Sequence, residues 1–284
     1  MKVYLNGNIV DGASAQISIF DHGFMYGLGV FETFRIYEGH PFLLDDHFQR
    51  LQKSLVQLGI EWRYEKKKIC AILEALLYAN DLQEAYVRWN VSAGVGPLGL
   101  HTGDYEEPTT IVYMKPIPSY MPAEKQAVLL QTRRNSPEGK QRLKSHHYMN
   151  NILGKRELGQ NIGDEGIFLT KEGYIAEGIV SNVFWVKNDI LYTPSLETGI
   201  LDGITRQFVF TLAKKEKINV VEGCFFEDAL LEADEMFITN SIQEIVKITK
   251  YKEKSFSFND GITEKLQKQF NDWKTKLWSK GELG

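Results

Sequence analysis

The fold of this chain is decided by the stretch from Glu177 to Arg206. Its sequence is E-G-I-V-S-N-V-F-W-V-K-N-D-I-L-Y-T-P-S-L-E-T-G-I-L-D-G-I-T-R. Its segments S-N-V-F-W-V and D-I-L-Y-T-P are apolar and rich in β-branched and aromatic residues, so they predict strands. D-G-I-T-R then opens a segment that predicts a helix. Strands followed by a helix in this manner indicate a mixed α/β class.

Two polar residues stand out inside this stretch. Glu177 lies in an otherwise apolar, strand-like segment, and it needs a partner because an unpaired buried carboxylate is costly. A protonated pyridine nitrogen is one such partner. Asn182 either orients this carboxylate, caps a turn or occupies a bulge.

The residues that open the helix have two interpretations. Gly203, the first helical amides at Ile204 and Thr205, and the Thr205 hydroxyl form a cup that suits a phosphate group. An N-cap made by Asp202 or Thr205 fits the same residues equally well. Local sequence does not decide between a phosphate site and a plain helix start.

Further candidates lie elsewhere in the chain. Thr239, Asn240 and Ser241 end an apolar strand, where they either donate to a phosphate or carboxylate or simply form a turn. Arg50 lies on the polar edge of a predicted helix, where it suits bidentate phosphate contact or is an ordinary surface residue. Lys144 precedes another helical pattern, and a lysine forms a Schiff base when its surroundings keep the amine partly neutral.

Together these residues make up the inventory that pyridoxal 5′-phosphate requires. They supply a lysine for the aldehyde, an acid for the pyridinium, and an arginine, a helix N-terminus and hydroxyls for the phosphate. A dinucleotide-binding loop is excluded, because Gly27-x-Gly29-x-x is followed by Glu32 rather than by glycine.

The pattern of elements along the chain predicts two mixed α/β domains. Strand and helix patterns alternate on both sides of M-K-P-I-P-S-Y-M-P-A-E-K, whose prolines resist regular structure. We therefore expect an N-terminal domain over residues 1–118, a linker over 119–125, and a C-terminal domain over 126–284 that carries Lys144. Ligand sites often lie in the cleft between two such domains.

Composition narrows the class of protein. With 43% hydrophobic and 25% charged residues and a net charge of -4, the chain has the balance of a globular protein and no basic footprint for nucleic acid. No apolar run approaches the roughly 18 residues of a membrane span, and the N-terminus lacks a signal-peptide pattern. The two cysteines have no metal-ligand companions. We expect a cytoplasmic protein without a metal site, a nucleic-acid partner or a membrane partner.

The ordered motifs of this chain closely resemble one family. The run from Glu177 to Arg206, together with Y-G-L-G-V-F-E-T, H-F-Q-R-L and R-L-K-S in the same order, is similar to the signature of the class IV, or fold-type IV, pyridoxal-phosphate aminotransferases. The resemblance covers the chain from about Tyr4 to about Lys247. It implies the D-amino acid aminotransferase-like fold with two α/β domains, the cofactor in the interdomain cleft, and a homodimer.

The resemblance also implies roles for individual residues. Lys144 matches the Schiff-base lysine, and Glu177 matches the acid that faces the pyridine nitrogen. Phe31 falls where the family places an aromatic residue at the substrate pocket. The other residues expected at the cofactor are Arg50, Asn182, Gly203, Ile204, Thr205, Asn240 and Ser241; those expected at the substrate are Tyr26, Arg88 and Asn240.

Within the family, the chain looks most like bacterial 4-amino-4-deoxychorismate lyases. Ala93 stands where D-amino acid aminotransferases carry an arginine, and T-N-S-I-Q-E-I replaces the branched-chain loop motif G-T-A-A. The resemblance therefore implies a pyridoxal-phosphate-dependent carbon–oxygen lyase of folate and 4-aminobenzoate biosynthesis, with 4-amino-4-deoxychorismate as substrate. The alternatives are a branched-chain or D-amino acid aminotransferase, and a non-catalytic binding protein. Arg88 either binds a substrate carboxylate or forms a cross-strand ion pair.

The glycines of F-D-H-G-F-M-Y-G-L-G-V-F-E-T-F-R are expected to serve packing rather than phosphate binding. Gly27 and Gly29 tolerate close approach of neighbouring structure, and the strand after them delivers Phe31 to the substrate side. We expect this region near a subunit interface, where Tyr26 reaches the partner's active site. The roles of the residues that follow Lys144, namely His146, His147 and Tyr148, stay open.

Overall fold

Residues 1–283 are described by a computed structural model, and packing divides them into two compact units. The first unit comprises Met1–Pro118, Leu143–His147 and Lys274–Glu282; the second consists mainly of Ser119–Arg142 and Tyr148–Trp273. The expected linker over 119–125 belongs to the second unit, and two short segments also differ from the expected bounds. Leu143–His147, which carries Lys144, and Lys274–Glu282 pack with the first unit rather than with the second.

The first unit is built on a six-stranded antiparallel sheet. Its elements are β1 (Lys2–Leu5), β2 (Asn8–Asp11), α1 (His22–Tyr26), β3 (Gly29–Tyr37), β4 (His40–Pro41), α2 (Leu44–Gln57), α3 (Lys66–Ala79), β5 (Ala85–Ser92) and β6 (Thr109–Lys115). The strand order is β2-β1-β6-β5-β3-β4. The turn at Asn6-Gly7 joins β1 and β2, and both of its residues have the positive φ that this tight hairpin requires.

Alternation along β3 separates the two faces of this sheet. Val30, Phe34 and Ile36 point to a buried core shared with α2 and α3, where the apolar stripe of α2 includes Phe48. Phe31 and Thr33 therefore point to the opposite face. Phe31 lies on that second face, and the segment that carries Lys144 runs along the edge of β3.

The second unit is built on a nine-stranded mixed sheet. Its elements are β7 (Glu124–Leu129), α4 (Met149–Leu158), β8 (Asp164–Leu169), β9 (Ile175–Gly178), β10 (Asn182–Lys187), β11 (Ile190–Pro194), α5 (Ile204–Lys215), β12 (Val220–Gly223), α6 (Asp228–Leu231), β13 (Glu235–Asn240), β14 (Glu244–Tyr251), β15 (Lys254–Ser255) and α7 (Ile262–Trp273). Eight strands follow the order β12-β11-β10-β13-β14-β7-β8-β9, and β15 pairs with β14. Sheet and helix occur together in both units, which confirms the predicted mixed α/β class.

The stretch from Glu177 to Arg206 forms the elements that its sequence predicts. It contributes the end of β9, then β10 and β11, and the start of α5. The side chains of β10 are almost wholly buried, because one face packs on the core that contains Val183 and Trp185. Within residues 1–283, no helix combines the length and the apolar character that crossing a membrane requires.

Candidate active site

Lys144 is held against the edge of β3 by backbone hydrogen bonds. The amide of Phe31 donates to the Lys144 carbonyl over 2.9 Å, and the amide of His146 donates to the Gly29 carbonyl over 3.0 Å. The strand β4 pairs only with the far end of β3, at Ile36 and Tyr37, so the near end is open to this segment. Leu143–His147 thus acts as a short extra edge strand, which places the lysine in the first unit.

The glycine pair makes room for the histidines that follow Lys144. A Cβ atom on Gly29 would lie 2.6 Å from the His146 ring, and one on Gly27 would lie 2.6 Å from the His147 ring. Gly27 also has a φ of 69°, in the left-handed region that favours glycine. The glycines therefore allow neighbouring structure to come close, as the sequence indicated, and that neighbouring structure is the segment that carries Lys144.

Phe31 and Arg88 share the face of the sheet that looks towards Lys144. Phe31 pairs with Asn90 and Thr33 pairs with Arg88 across β3 and β5, so these side chains lie on one face. The Lys144 Nζ lies 4.7 Å from the centroid of the Phe31 ring, and the Arg88 Cζ lies 3.6 Å from it. An amine and a guanidinium thus both lie close to one buried aromatic ring.

Arg88 forms no ion pair with a carboxylate of residues 1–283. Its Nε donates to Asn90 Oδ1 over 3.0 Å, and its guanidinium stacks on Phe31. The cross-strand ion pair that the sequence left open is therefore not formed. A half-buried cation without a protein counter-ion is suited to an anionic ligand.

Arg50 lies in a buried ionic cluster with Glu32 and His47. Its Nε and Nη2 donate to the two Glu32 oxygens, each over 2.7 Å, and His47 Nδ1 lies 2.7 Å from Glu32 Oε2. Burial alone would raise the pKa of Glu32, but the Arg50 charge and the hydrogen bonds from His47 and Arg50 outweigh it and lower the pKa to about 2. The expected phosphate contact of Arg50 stays a prediction.

Tyr26 lies at the C-terminal end of α1, partly exposed. Its hydroxyl oxygen accepts a hydrogen bond from the Gly99 amide over 3.0 Å, which ties α1 to the loop after β5. The expected contact of Tyr26 with a substrate stays a prediction.

In the second unit, Glu177 is a buried carboxylate with several partners. Arg134 Nε donates to Oε1 over 2.8 Å, the Leu201 amide donates to Oε2 over 3.0 Å, and Asn182 Nδ2 lies 3.4 Å from Oε2. Only 4% of Glu177 is exposed. Sequence reasoning foresaw that this acid needs a partner but missed Arg134. The only signal for it was the arginine pair in T-R-R-N after a predicted strand.

Asn182 orients the Glu177 carboxylate, which was the first of its three interpretations. Besides its contact with Glu177, its Nδ2 donates to the Leu201 carbonyl over 2.8 Å. A Cβ on Gly203 would lie 2.1 Å from Asn182 Oδ1. Glycine at position 203 thus lets the start of α5 come close to the side chain that positions the acid.

The start of α5 carries a set of small donors. Gly203 is the N-cap and has no side chain to bond the first amides, which include those of Ile204 and Thr205. Thr205 Oγ1 lies 3.3 Å from Ser241 Oγ. Thr239 pairs with Asn182 across β10 and β13, and its buried Oγ1 has no hydrogen-bond partner within residues 1–283. Free amides, two hydroxyls and an orphaned third hydroxyl fit the phosphate group that the family resemblance implies.

Asn240 is engaged in its own turn. Its Oδ1 accepts from the amides of Ile242 and Gln243 over 2.9 and 2.7 Å, and its Nδ2 donates to the Gln243 side chain over 3.1 Å. These bonds shape the turn that presents Ser241. The expected cofactor and substrate contacts of Asn240 stay predictions. No cluster of His, Cys, Asp and Glu suited to a metal ion occurs in residues 1–283.

Comparison with known proteins agrees with the motifs. The chain is 47% identical over 269 residues to the aminodeoxychorismate lyase of Bacillus subtilis (strain 168), covering 93% of this chain and 92% of that protein. It is 38% identical over 280 residues to a candidate branched-chain-amino-acid aminotransferase of Methanocaldococcus jannaschii, covering 97% of each. The solved branched-chain aminotransferase of Thermoproteus uzoniensis with norvaline is 28% identical, with a TM-score of 0.85 over 95% of this chain and 93% of that one.

A sequence model of the family shows to which family this chain belongs. The model described as amino-transferase class IV matches residues 29–251, which include the lysine segment, β9 to β11, the start of α5 and β13. This match confirms the resemblance that the motifs indicated, and the higher identity to the lyase than to the aminotransferase agrees with the branch they favoured. The chain belongs to the class IV aminotransferases.

Proposed function

We propose that this chain is an aminodeoxychorismate lyase, which converts 4-amino-4-deoxychorismate to 4-aminobenzoate and pyruvate in folate biosynthesis. The proposal is carried by the 47% identity to the Bacillus subtilis lyase over 93% of this chain. The cluster of Lys144, Phe31 and Arg88 supports it, because the substrate carries both an amine and carboxylates. The substrate amine would react at the site of Lys144, and a substrate carboxylate would bind a cation that has no carboxylate partner in the protein, such as Arg88.

Pyridoxal 5′-phosphate is the proposed cofactor, and each unit has residues that would hold it. In the first unit these are Lys144, for the aldehyde, and Arg50. In the second unit Glu177 would face the pyridine nitrogen, and the amides at the start of α5 with Thr205 and Ser241 would bind the phosphate. When bound, this cofactor withdraws electrons from the carbon that carries the substrate amine.

The residues of the chain then have distinct tasks. Lys144 Nζ would remove the proton from the ring carbon that bears the amine, and the bond between the ring and the enolpyruvyl oxygen would break. The ring becomes aromatic, and the departing enolpyruvate takes up a proton to become pyruvate. Glu177 would keep a proton on the pyridine nitrogen, and Arg134 and Asn182 hold its carboxylate in place. Arg88 binds a substrate carboxylate against Phe31. Tyr26 and Asn240 complete the proposed set of substrate contacts.

A homodimer in the cytoplasm is proposed as the working form. The first unit exposes large apolar side chains on two neighbouring segments that are joined by the Asp21–Val95 bridge. The exposed residues are Ile17, Ile19, Phe20, Phe24, Val95, Leu98 and Leu100. An apolar surface of this kind is typical of a subunit contact, so a second copy of the chain is its proposed partner.

The experiment that tests the function measures both products without any keto acid. Protein loaded with pyridoxal 5′-phosphate is incubated with 4-amino-4-deoxychorismate, and 4-aminobenzoate and pyruvate are quantified. We expect equal release of the two products, abolished by Lys144→Ala and unaffected by Lys68→Ala, which changes an exposed lysine of α3. Turnover of an amino acid that depends on a keto acid, without product release, would instead identify an aminotransferase. Failure of the protein to bind the cofactor would favour a non-catalytic binding protein.

A further inference from the structure

His146 carries a buried polar atom that nothing in its unit satisfies. Its backbone is fixed by the bond to Gly29, and its ring lies parallel to the Phe31 ring, with centroids 6.2 Å apart. Its Nε2 is buried and has no hydrogen-bond partner within residues 1–283. Leaving a buried donor or acceptor unpaired is unfavourable, so such an atom in a cluster of reactive side chains calls for an explanation.

The charge state of His146 suits hydrogen bonding rather than ion pairing. Burial is the main cause that lowers its pKa, the nearby charges of Arg88 and His147 add to this and Asp21 opposes it, and the resulting pKa is about 4. The imidazole is therefore neutral near pH 7, with a proton on one ring nitrogen and a lone pair on the other. It offers one N–H donor without adding a second positive charge beside Arg88.

The neighbours of His146 define what it would bind. Arg88 stacks on the same Phe31 ring and has no carboxylate partner, and the Lys144 Nζ lies 4.7 Å from the centroid of that ring. A guanidinium and a neutral N–H donor together match a carboxylate, which accepts several hydrogen bonds. An amine that reacts at Lys144 and a carboxylate on the same rigid molecule would then both be accommodated.

We propose that His146 is a substrate-binding residue that, together with Arg88, binds one carboxylate of an amino-dicarboxylate substrate by donating a hydrogen bond from Nε2. This inference rests on the proposed function, because it assigns the substrate class to the Lys144 site. Arg88 supplies the charge and His146 the directional hydrogen bond. Substrates whose carboxylate cannot reach this pair are discriminated against.

Two substitutions distinguish a hydrogen-bonding role of His146 from a role in packing alone. His146→Leu keeps a side chain of similar size and removes both ring nitrogens. His146→Gln restores an amide N–H that can take the place of Nε2. His101→Leu is the control, because His101 is an exposed histidine of the same unit whose ring contacts Tyr105 rather than the cluster. Thermal unfolding of all variants reports any loss of folding.

The measurements are made on protein loaded with pyridoxal 5′-phosphate. Calorimetry determines the Kd values of the two products, 4-aminobenzoate and pyruvate. The first keeps the ring carboxylate of the substrate, and the second keeps the carboxylate of the enolpyruvyl group. The same titrations follow the His146 Nε2 resonance in protein labelled with ¹⁵N-histidine. KM and kcat for 4-amino-4-deoxychorismate are measured in parallel.

We expect His146→Leu to weaken binding of one of the two products and to raise KM by roughly 10- to 100-fold, the range for a hydrogen bond to a charged group, with a smaller change in kcat. His146→Gln should recover most of this loss, His101→Leu should change nothing, and the bound product should shift the Nε2 resonance. The inference is overturned if His146→Leu leaves both Kd values and KM unchanged, or if neither product shifts that resonance. Failure of the unaltered protein to release pyruvate and 4-aminobenzoate is a separate outcome, which contradicts the proposed function.

Discussion

Arg134 and Glu177 form a buried ion pair in the second unit, with Arg134 Nε donating to Glu177 Oε1 over 2.8 Å. Both residues are less than a tenth exposed. The guanidinium also donates to Asn150 over 2.7 Å, so the arginine joins α4 to Glu177, the acid that we propose faces the pyridine nitrogen. The acid is thus positioned by a residue far away in sequence.

Arg134→Met should destabilise the protein strongly. Removing one partner of a buried ion pair leaves the other charge uncompensated, which costs about 3–5 kcal/mol. Urea unfolding followed by circular dichroism measures this loss. The control is Arg133→Met, the adjacent and exposed arginine, which should stay within about 0.5 kcal/mol. A similar small effect of Arg134→Met would contradict the ion pair.

The cluster of Glu32, His47 and Arg50 should govern stability in acid. The pKa of Glu32 is lowered from 4.5 to about 2 in the folded protein. The unfolded chain therefore binds more protons between these values, so the stabilisation is complete above about pH 4.5 and is lost as pH falls towards 2. A shift of this size corresponds to about 3 kcal/mol.

Arg50→Gln should flatten this acid dependence and lower stability at pH 7. The substitution removes both hydrogen bonds to Glu32 and the charge that keeps its carboxylate ionised. The free energy of unfolding is measured between pH 2 and 7 for both proteins. If the two curves stay parallel across this range, Arg50 does not set the ionisation of Glu32.

Gly29→Ala should displace the segment that carries Lys144. The new Cβ would lie 2.6 Å from the His146 ring and 2.8 Å from the Val91 carbonyl, and a backbone atom cannot move away cheaply. Overpacking of this kind costs about 1–3 kcal/mol, and the moved lysine should lower turnover. Gly139→Ala is the control, because a Cβ there meets nothing within 4 Å. Native turnover and stability for Gly29→Ala would show that the segment is not held so closely.

Thr205→Val should weaken binding of the cofactor phosphate. Valine has the same shape but no hydroxyl, and a hydrogen bond to a charged group is worth about 1.5–3 kcal/mol, or roughly 10- to 100-fold in Kd. Fluorescence titration with pyridoxal 5′-phosphate measures this change. Thr211→Val in the same helix serves as the control, because its hydroxyl donates within the helix to the Gln207 carbonyl. Equal affinities for the two variants would remove Thr205 from the phosphate site.

Local patterns predicted most of the elements. The strands β10 and β11 follow from their β-branched and aromatic residues, and α5 follows from the helix start at D-G-I-T-R; both signals act over a few residues. Glu177 and Asn182 were also recognisable, because polar residues in an apolar strand need partners.

Non-local pairing was beyond the reach of these patterns. Arg134 is separated from Glu177 by 43 residues, and its sequence context is that of any arginine at a strand end. The attachment of Lys144 to β3 is likewise a backbone contact between distant segments, and backbone hydrogen bonds carry no side-chain signature. The predicted domain boundaries rest on a proline-rich stretch. Such a stretch indicates where regular structure ends, but it does not indicate which later segments pack with the first unit.

The return of Leu143–His147 and Lys274–Glu282 to the first unit has a consequence for biosynthesis. Leu43 and Asp46 bond to Leu277 and Lys280, so this unit is complete only after nearly the whole chain has left the ribosome. A fragment ending at Pro118 would expose the open edge of β3 at Gly29–Phe31, and exposed strand edges template aggregation. We therefore expect that the two halves of the chain, divided at the proline-rich stretch and expressed separately, do not form two stable proteins.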